Sequence, residues 1–135
     1  MKYKIIKFTT HGDERGNLIA LEQNNEIPFE IKRIYYIFDN INNVRRGFHA
    51  HKDLKQMLIC VSGSCKILLD DGNDKVTLEL NSCDKGILLY GPIWREMYDF
   101  SSDAVLLVIA SEYYTEEDYI RDYDDYIEYI ETEKF

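Results

Sequence analysis

The stretch RRGFHAHKDLKQMLICVSG, residues 45–63, decides the fold class of this chain. It places two imidazoles two residues apart, at His49 and His51, and then becomes an apolar run over residues 57–61. Residues i and i+2 of a β-strand point to the same face, so both rings are expected to project side by side into one cavity. Such a pair suits metal ligation or proton transfer, although a chance surface pair or a purely packing role has the same spacing.

The spacing around the pair resembles the first sequence motif of the cupin superfamily. Gln56 follows His51 after four residues and Gly63 follows after six more; the family usually has a metal-binding Glu at the Gln56 position. GILLYGPIWR, residues 86–95, is similar to the second cupin motif, but Arg95 stands where that family has a third histidine ligand. The resemblance implies a jelly-roll barrel of antiparallel strands.

The two departures from the cupin motifs predict a site without metal or other cofactor. Gln56 offers only a neutral amide oxygen, whereas transition metals prefer imidazole, thiolate or carboxylate ligands. Arg95 is a permanent cation that repels a metal ion. His49 and His51 are therefore expected to be free for acid/base chemistry.

Composition predicts one soluble domain, residues 1–135, with 45% hydrophobic and 30% charged residues. No apolar run reaches the about 18 residues of a membrane span, and the N-terminal stretch does not resemble a signal peptide. We therefore expect a cytoplasmic protein without a membrane partner. In a reducing compartment, Cys60, Cys65 and Cys83 are expected to be buried small hydrophobes.

The net charge of −9 is concentrated at the end of the chain, where residues 111–135 hold ten acidic and two basic residues. This acidity argues against nucleic-acid binding by the whole surface. Cationic side chains in or near the motifs suit an anionic ligand such as a phosphate ester. They are Arg15, Arg45, Arg46, Lys52 and Arg95.

Short segments rich in β-branched and aromatic residues, separated by turn residues, predict an all-β fold. Besides the central stretch, the predicted strands are residues 3–8, 18–22, 31–38, 65–69, 76–80, 87–90, 94–100 and 105–111. A hairpin connection is predicted over residues 11–17 and a polar loop over residues 40–44. Many short strands at regular spacing are typical of an antiparallel sandwich or barrel.

The end of the chain changes to helical periodicity. Tyrosines and isoleucines recur every three or four residues between acidic ones, at Tyr119, Ile120, Tyr123, Tyr126, Ile127 and Ile130. This pattern predicts an amphipathic helix, with Thr115 as its N-cap and carboxylates in its first turn. We expect its apolar stripe to pack on the barrel or on a partner subunit rather than to bind a cofactor.

A larger set of segments resembles a particular family, the sugar 3,4-ketoisomerases that act on dTDP-4-keto-6-deoxyglucose. The segments are RRGFHAHK, the following Gln56, ILLDDG, GPIWREM, DFSSD, ASEYY and DYIRDY, which together run nearly the full length. The resemblance implies a dTDP-hexose ligand and a homodimer with exchanged N-terminal strands. It also implies a place in the synthesis of 3-amino-3,6-dideoxyhexoses for bacterial surface polysaccharides.

The resemblance also implies roles for individual residues. His49 is expected to take the proton from C3, and His51 to handle the protons on the oxygens or stabilise the enediolate, although the two roles are interchangeable. Arg46 and Lys52 are expected to bind the diphosphate or the oxyanion. The remaining expected substrate-binding residues are Tyr35, which hydrogen-bonds the hexose, Gln56, Arg95, and Arg15, which reaches the site from the first turn.

Two positions bear on the configuration at C4 of the product. Family members that give the galacto product have His at the position of Arg95 and Arg at that of Arg15, whereas gluco-type members have Arg and Tyr. This sequence has Arg at both. We expect the gluco product, dTDP-3-keto-6-deoxyglucose, because residue 95 lies inside the second motif; the galacto product is the alternative.

Two other functions fit the same fold. A sugar-nucleotide 3,5-epimerase typically needs a His base paired with an Asp and an opposing Tyr acid, and the sequence shows no such His–Asp arrangement. A non-catalytic ligand-binding cupin module is the other alternative. The paired histidines beside cationic residues favour an enzyme over such a module.

Overall fold

Two five-stranded antiparallel sheets make up most of the computed structural model, which describes residues 1–41 and 44–133. The strands are β1 (Tyr3–Lys7), β2 (His11–Asp13), β3 (Gly16–Leu18), β4 (Arg33–Ile37), β5 (Arg46–His51), β6 (Gln56–Ser62), β7 (Cys65–Asp70), β8 (Lys75–Leu80), β9 (Lys85–Leu89), β10 (Trp94–Tyr98), β11 (Val105–Ala110) and β12 (Tyr119–Ile120). One sheet has the order β1-β9-β6-β11-β4 and the other β12-β5-β10-β7-β8, while β2 and β3 form a separate hairpin. The predicted all-β class is confirmed.

Strand β6 shows why the central apolar run is continuous. Its first five residues are buried, because both faces of the strand are covered. Leu58 and Cys60 face the core between the two sheets. Met57 and Ile59 face outward, where they pack against Ile27 and other apolar side chains of the segment between β3 and β4.

The N-terminal part and the cysteines differ in detail from the predictions. The predicted connection over residues 11–17 is itself the β2–β3 hairpin, and the strand expected over 18–22 ends at Leu18, after which the chain crosses the outer face of the first sheet. Of the predicted loop over 40–44, Asn42 and Asn43 lie outside the described residues. Cys60 and Cys65 are buried, but the prediction for Cys83 is wrong: it is exposed, because it lies in the turn between β8 and β9.

The C-terminal helix α1 (Tyr123–Thr132) begins later than predicted. Its N-cap is Asp122, whose side chain accepts a hydrogen bond from the Asp125 amide, and not Thr115. Thr115 instead precedes a short 3-10 helix, Glu116–Asp118, and makes no side-chain cap there. Tyr119 and Ile120 pair with β5, so strand pairing overrides the helical periodicity at these two residues.

Helix α1 packs on the second sheet through Tyr126, as the amphipathic pattern predicted. The fully buried Tyr126 ring lies beside Trp94, and its hydroxyl donates to the carbonyl oxygens of Asp70 at 3.0 Å and Pro92 at 2.7 Å. Tyr123 adds a hydrogen bond of 2.7 Å to the Asp70 carboxylate. Within the described residues, no helix has the length and apolar character that crossing a membrane requires.

Candidate active site

His49 and His51 lie next to each other on β5, as their spacing predicted. Their ring centroids are 4.9 Å apart, and the two residues are 9% and 0% exposed. The neighbouring strands complete the site: β10 places Arg95 opposite His49, and β12 places Tyr119 opposite His51. Three strands of one sheet therefore bring two imidazoles, a guanidinium and a phenol ring together.

A β-bulge sets the position of His49. The register between β10 and β5 shifts after Arg95, whose partner is His49, to Glu96, whose partner is Gly47, so Phe48 is the extra residue. Gly47 and Phe48 both have positive φ, 90° and 55°. Residue 47 must be glycine, because a Cβ there would lie 2.9 Å from the Arg95 carbonyl oxygen.

Asp118 orients the second histidine. His51 Nδ1 lies 2.9 Å from Asp118 Oδ2, while Oδ1 accepts hydrogen bonds from the backbone amides of Lys52 and Asp53. A neutral His51 that donates from Nδ1 keeps its lone pair on Nε2, which is buried and has no partner in the described residues. The expectation that the chain has no His–Asp arrangement is thus wrong, because two residues 67 positions apart meet only in the fold.

Arg95 is 1% exposed and lies behind the imidazoles. Its guanidinium donates to the Gln56 side-chain oxygen and to the Ile93 carbonyl oxygen, so its hydrogen-bond acceptors in the described residues are uncharged. Gln56 in turn lies 3.4 Å from the Tyr35 hydroxyl. A buried cation bonded to Gln56 does not fit a metal site, and the described residues contain no cluster of three His, Cys, Asp or Glu side chains that could hold a metal ion.

The surroundings keep both imidazoles neutral. Burial, with the nearby Arg95 charge, lowers the pKa of His49 to about 4 against a small opposing effect of a Gly47 backbone hydrogen bond. The same two causes, burial first, lower the pKa of His51. Burial also lowers the pKa of Arg95 to about 10, which leaves it charged at neutral pH. The site therefore offers two free bases beside a fixed cation.

A hollow of about 500 Å³ opens from His49 to the surface. Its walls include Tyr35 and Tyr119 and three guanidinium groups, those of Arg33, Arg46 and Arg121. Arg121 lies 4.2 Å above the Tyr119 ring and forms an ion pair with Glu116. The hollow combines three guanidinium groups with the uncharged imidazole of His49, which suits an anionic ligand that undergoes proton transfer.

The structure brings six of the eight predicted site residues together. His49, Tyr35 and Arg46 line the hollow, and His51, Gln56 and Arg95 are buried next to them. Lys52 lies on the side of helix α1, with its ammonium 5.9 Å from the Tyr129 ring. Arg15 is exposed on the β2–β3 hairpin, where it pairs with Asp13 and lines a separate hollow.

Sequence reasoning missed four residues of the site: Asp118, Tyr119, Arg33 and Arg121. The helical pattern places Tyr119 and Arg121 in the predicted helix and Asp118 in its first turn. Nothing in the sequence links Asp118 to His51, because the two residues are 67 positions apart. Arg33 did give a signal. It stands two residues before Tyr35 on a predicted strand, so it shares the face of Tyr35.

Comparison with known proteins identifies the family of this chain. The family model FdtA (WxcM-like, C-terminal) matches residues 1–131. A TDP-4-oxo-6-deoxy-α-D-glucose-3,4-oxoisomerase from Aneurinibacillus thermoaerophilus is 52% identical over 130 residues, 96% of this chain and 94% of that protein. Among solved structures, the TDP complex of QdtA, a sugar 3,4-ketoisomerase from Thermoanaerobacterium thermosaccharolyticum, is 45% identical with a TM-score of 0.95, covering 99% of this chain and 98% of that one. WlaRB, a TDP-quinovose 3,4-ketoisomerase from Campylobacter jejuni, is 51% identical with a TM-score of 0.89, covering 93% and 97%. The chain belongs to the FdtA (WxcM-like, C-terminal) family and, as its motifs indicated, to the sugar 3,4-ketoisomerases.

Proposed function

We propose that this protein is an isomerase that moves the keto group of TDP-4-keto-6-deoxyglucose from C4 to C3. The observation that carries the proposal is the His49–His51 pair, whose buried Nε2 atoms both lack partners in the described residues. His49 lines a cationic hollow, and the His51 ring lies next to it. The names of the similar proteins supply the nucleotide and the sugar. The 3-keto product suits a 3-aminotransferase, and we propose that the reaction is a cytoplasmic step toward 3-amino-3,6-dideoxyhexoses for surface polysaccharides.

The reaction needs two protons to change places, one on carbon and one on oxygen. His49 takes the proton from C3, and the electron pair of that bond forms the C3–C4 double bond of an enediolate. The buried Arg95 charge stabilises the negative charge that develops on O4. His51 carries the hydroxyl proton from O3 to O4, and protonated His49 returns its proton to C4, so both histidines end in their starting state.

Asp118 acts as a positioning residue in this scheme. By accepting the hydrogen bond from His51 Nδ1, it fixes the tautomer in which Nε2 is the base. It is itself fixed by two backbone amides, at 3.1 and 2.8 Å. We propose that Tyr35, whose hydroxyl lies 3.4 Å from the Gln56 amide, contacts the hexose. Arg46, on the wall of the hollow, is proposed to contact the diphosphate.

The direct test is incubation with TDP-4-keto-6-deoxyglucose and a 3-aminotransferase that traps the product, with analysis by NMR. We expect a 3-amino-3,6-dideoxyhexose nucleotide with the wild-type protein and none with the double variant His49→Asn/His51→Asn. Unchanged starting material with a folded wild-type protein would exclude the proposed activity.

We further propose the gluco configuration at C4 of the product. Arg95 lies inside the site, next to both histidines, whereas Arg15 does not line the hollow of its own chain. The similar Campylobacter jejuni enzyme is named for TDP-quinovose, a 6-deoxygluco sugar. A fixed cation that holds the hexose determines which face of the enediol meets the proton donor.

The configuration is tested by NMR of the aminated product. We expect the gluco epimer from the wild type and a shift toward the galacto epimer in Arg95→His, because an imidazole there holds the sugar differently or joins the proton transfer. A mainly galacto product from the wild type would indicate that Arg15 determines the configuration at C4. An unchanged ratio in Arg95→His would assign it to another residue.

The His51–Asp118 pair favours one second candidate, a sugar-nucleotide 3,5-epimerase, since that activity typically uses such a pair. The two activities differ in which C–H bonds exchange their hydrogen with the solvent. In D2O an epimerase introduces deuterium at C5, whereas the proposed isomerase acts only at C3 and C4. NMR of the recovered sugar therefore separates them.

We also propose a homodimer in which the N-terminal hairpins are exchanged. The β2–β3 hairpin pairs with neither main sheet in the described residues, and Leu18 on it is exposed. The outer face of the edge strand β4 carries exposed Ile34 and Tyr36. A hairpin from a second copy would cover this apolar face and bring Arg15 toward the partner's hollow.

A further inference from the structure

Gln56, the first residue of β6, links Arg95 to Tyr35. It is 1% exposed, and it is not one of the described residues that line the hollow. Its Oε1 accepts a hydrogen bond from Arg95 Nη1, and its Nε2 lies 3.4 Å from the Tyr35 hydroxyl oxygen. Its backbone is fixed on both sides, because residue 56 pairs with Ala110 of β11 and Leu89 of β9. The amide is therefore held between a cation and a phenol.

Arg95 determines the orientation of the Gln56 amide. A guanidinium group has only donors, so the amide atom that faces Arg95 must be the oxygen. The NH2 group then faces Tyr35, and an amide nitrogen accepts no hydrogen bond. The Tyr35 oxygen must therefore be the acceptor in this pair, and the phenol proton is left for another acceptor.

The phenol proton of Tyr35 is available to a ligand. Among the described residues, the hydroxyl makes one side-chain hydrogen bond, the one from Gln56. Burial raises the pKa of the phenol, against opposing effects of the Arg95 charge and the Gln56 hydrogen bond, so the proton stays in place at neutral pH. Tyr35 lines the hollow, so a bound ligand can supply the missing acceptor. A donor held in a fixed direction stabilises a negatively charged oxygen more than a neutral carbonyl oxygen.

We propose that Gln56 is a positioning residue that makes Tyr35 a hydrogen-bond donor to the hexose oxygen that becomes negative in the enediolate. The inference rests on the proposed function, because the enediolate belongs to that reaction. It assigns to Gln56 an indirect role, in place of the direct substrate contact that the sequence had predicted. It also explains an amide at residue 56, since a carboxylate would accept from Tyr35 as well as from Arg95 and would turn the phenol proton away from the ligand.

A double-mutant cycle between Gln56→Glu and Tyr35→Phe tests the inference. The carboxylate has nearly the size of the amide and still accepts from Arg95, yet kcat should fall about 10²-fold or more, the usual effect of losing a donor to a developing oxyanion. Tyr35→Phe should lose about as much, and Gln56→Glu should add little in the Tyr35→Phe background. KM should change less than kcat, because the interaction is made in the transition state.

Two controls separate a lost donor from other effects of the new charge. Each kcat is measured at the pH optimum of its variant, so that a changed imidazole pKa is not counted as a lost donor. Gln23→Glu is the matched control, since it introduces the same charge at an exposed side chain whose oxygen accepts from the Ile31 amide. It should keep the wild-type rate.

The direction of the hydrogen bond can also be measured without substrate. Fluorine NMR of protein labelled with 3-fluorotyrosine follows the ionisation of each phenol, and the Tyr35→Phe spectrum identifies the Tyr35 signal. A phenol that accepts from Gln56 has its anion stabilised, so Gln56→Met should raise the pKa of Tyr35. A phenol that donated to Gln56 would have its neutral form stabilised, and its pKa would fall in Gln56→Met.

The outcomes separate this inference from the proposed function. A Gln56→Glu variant with more than about a tenth of the wild-type kcat would overturn the inference, because even the low end of the expected loss is larger. A lower Tyr35 pKa in Gln56→Met would also overturn it. So would equal losses from Gln56→Glu in both backgrounds, because residue 56 would then act through Arg95 or through the fold. A wild type without turnover, in which Gln56→Met still raises the Tyr35 pKa, would contradict the proposed function alone.

Discussion

At the scale of single residues, Arg95 adds to burial in keeping the two imidazoles neutral. It is buried next to them, and its hydrogen-bond acceptors in the described residues are uncharged. Its field therefore acts on the histidines without compensation from a bound carboxylate. Burial and this field together favour the neutral, basic form of both rings.

The pH dependence of kcat/KM should reflect this arrangement. A general base is lost as pH falls through its pKa. The acid limb of the wild-type pH profile, where kcat/KM decreases, should therefore lie near pH 4 instead of near 6.5. In Arg95→Met the pKa of His49 should rise, and the limb should move to higher pH. The same low pKa destabilises the fold between pH 6.5 and 4, because the unfolded state binds more protons there, so circular dichroism must accompany each rate. A wild-type limb near 6.5 would contradict the assignment.

Each histidine should be essential by itself. His49→Asn and His51→Asn should each lower kcat by about 10²- to 10⁴-fold, since that is the usual contribution of a positioned acid or base. Melting temperatures should stay close to that of the wild type. If both variants kept more than a tenth of the rate, the acid/base roles would belong to other residues.

At the scale of elements, two contacts of the second sheet position the site. The bulge at Phe48 lets His49 lie opposite Arg95, and strand β12 brings Asp118 and Tyr119 to His51. Helix α1 follows β12 directly and is fixed by the Tyr126 hydroxyl. The helix thus holds the end of the strand that carries the site, without contributing a catalytic group.

The anchor of helix α1 can be tested by removing one oxygen atom. Tyr126→Phe should lower the free energy of unfolding by about 1 kcal/mol or somewhat more, because two buried carbonyl groups lose their donor. Urea unfolding at fixed protein concentration measures the loss. Tyr113→Phe, at an exposed tyrosine, is the control and should have no effect. Equal stability of the two variants would show that packing of the ring alone holds the helix.

At the scale of the whole molecule, the exposed face of β4 predicts the oligomeric state. Light scattering after size exclusion should give a dimer for the wild type and a monomer for Ile34→Glu, because a buried charge at the proposed interface is unfavourable. The monomeric variant should also be less active, because Arg15 then no longer reaches the hollow of a second copy. Tyr113→Glu introduces the same charge at another exposed site and should remain dimeric. A monomeric wild type with full activity would refute the exchange.

Activity should not depend on a metal ion. The buried Arg95 bonded to Gln56 takes the place of a metal and its ligands in the proposed scheme. Prolonged dialysis against a chelator should therefore leave kcat unchanged. Loss of activity that one particular divalent ion restores would show that the chemistry is different.

The amino-acid sequence alone determined the all-β class, the neighbouring imidazoles and the family, because these rest on local periodicity and on short motifs. Strand alternation is enough to place His49 and His51 on one face. Most strands were also found, since turn residues mark their ends. The start of α1 was not found, because Tyr119 and Ile120 fit a helical pattern as well as a strand pattern.

Only the tertiary structure decided which distant residues complete the site. Asp118 reaches His51, and Arg33 and Arg121 join His49, through contacts between residues far apart in the chain. The same contacts placed Lys52 beside helix α1 and left Arg15 on a separate hairpin. Local patterns specify the direction of a side chain along its own strand. The neighbour that it meets depends on strand pairing and on the bulge at Phe48, which arise only when the whole chain folds.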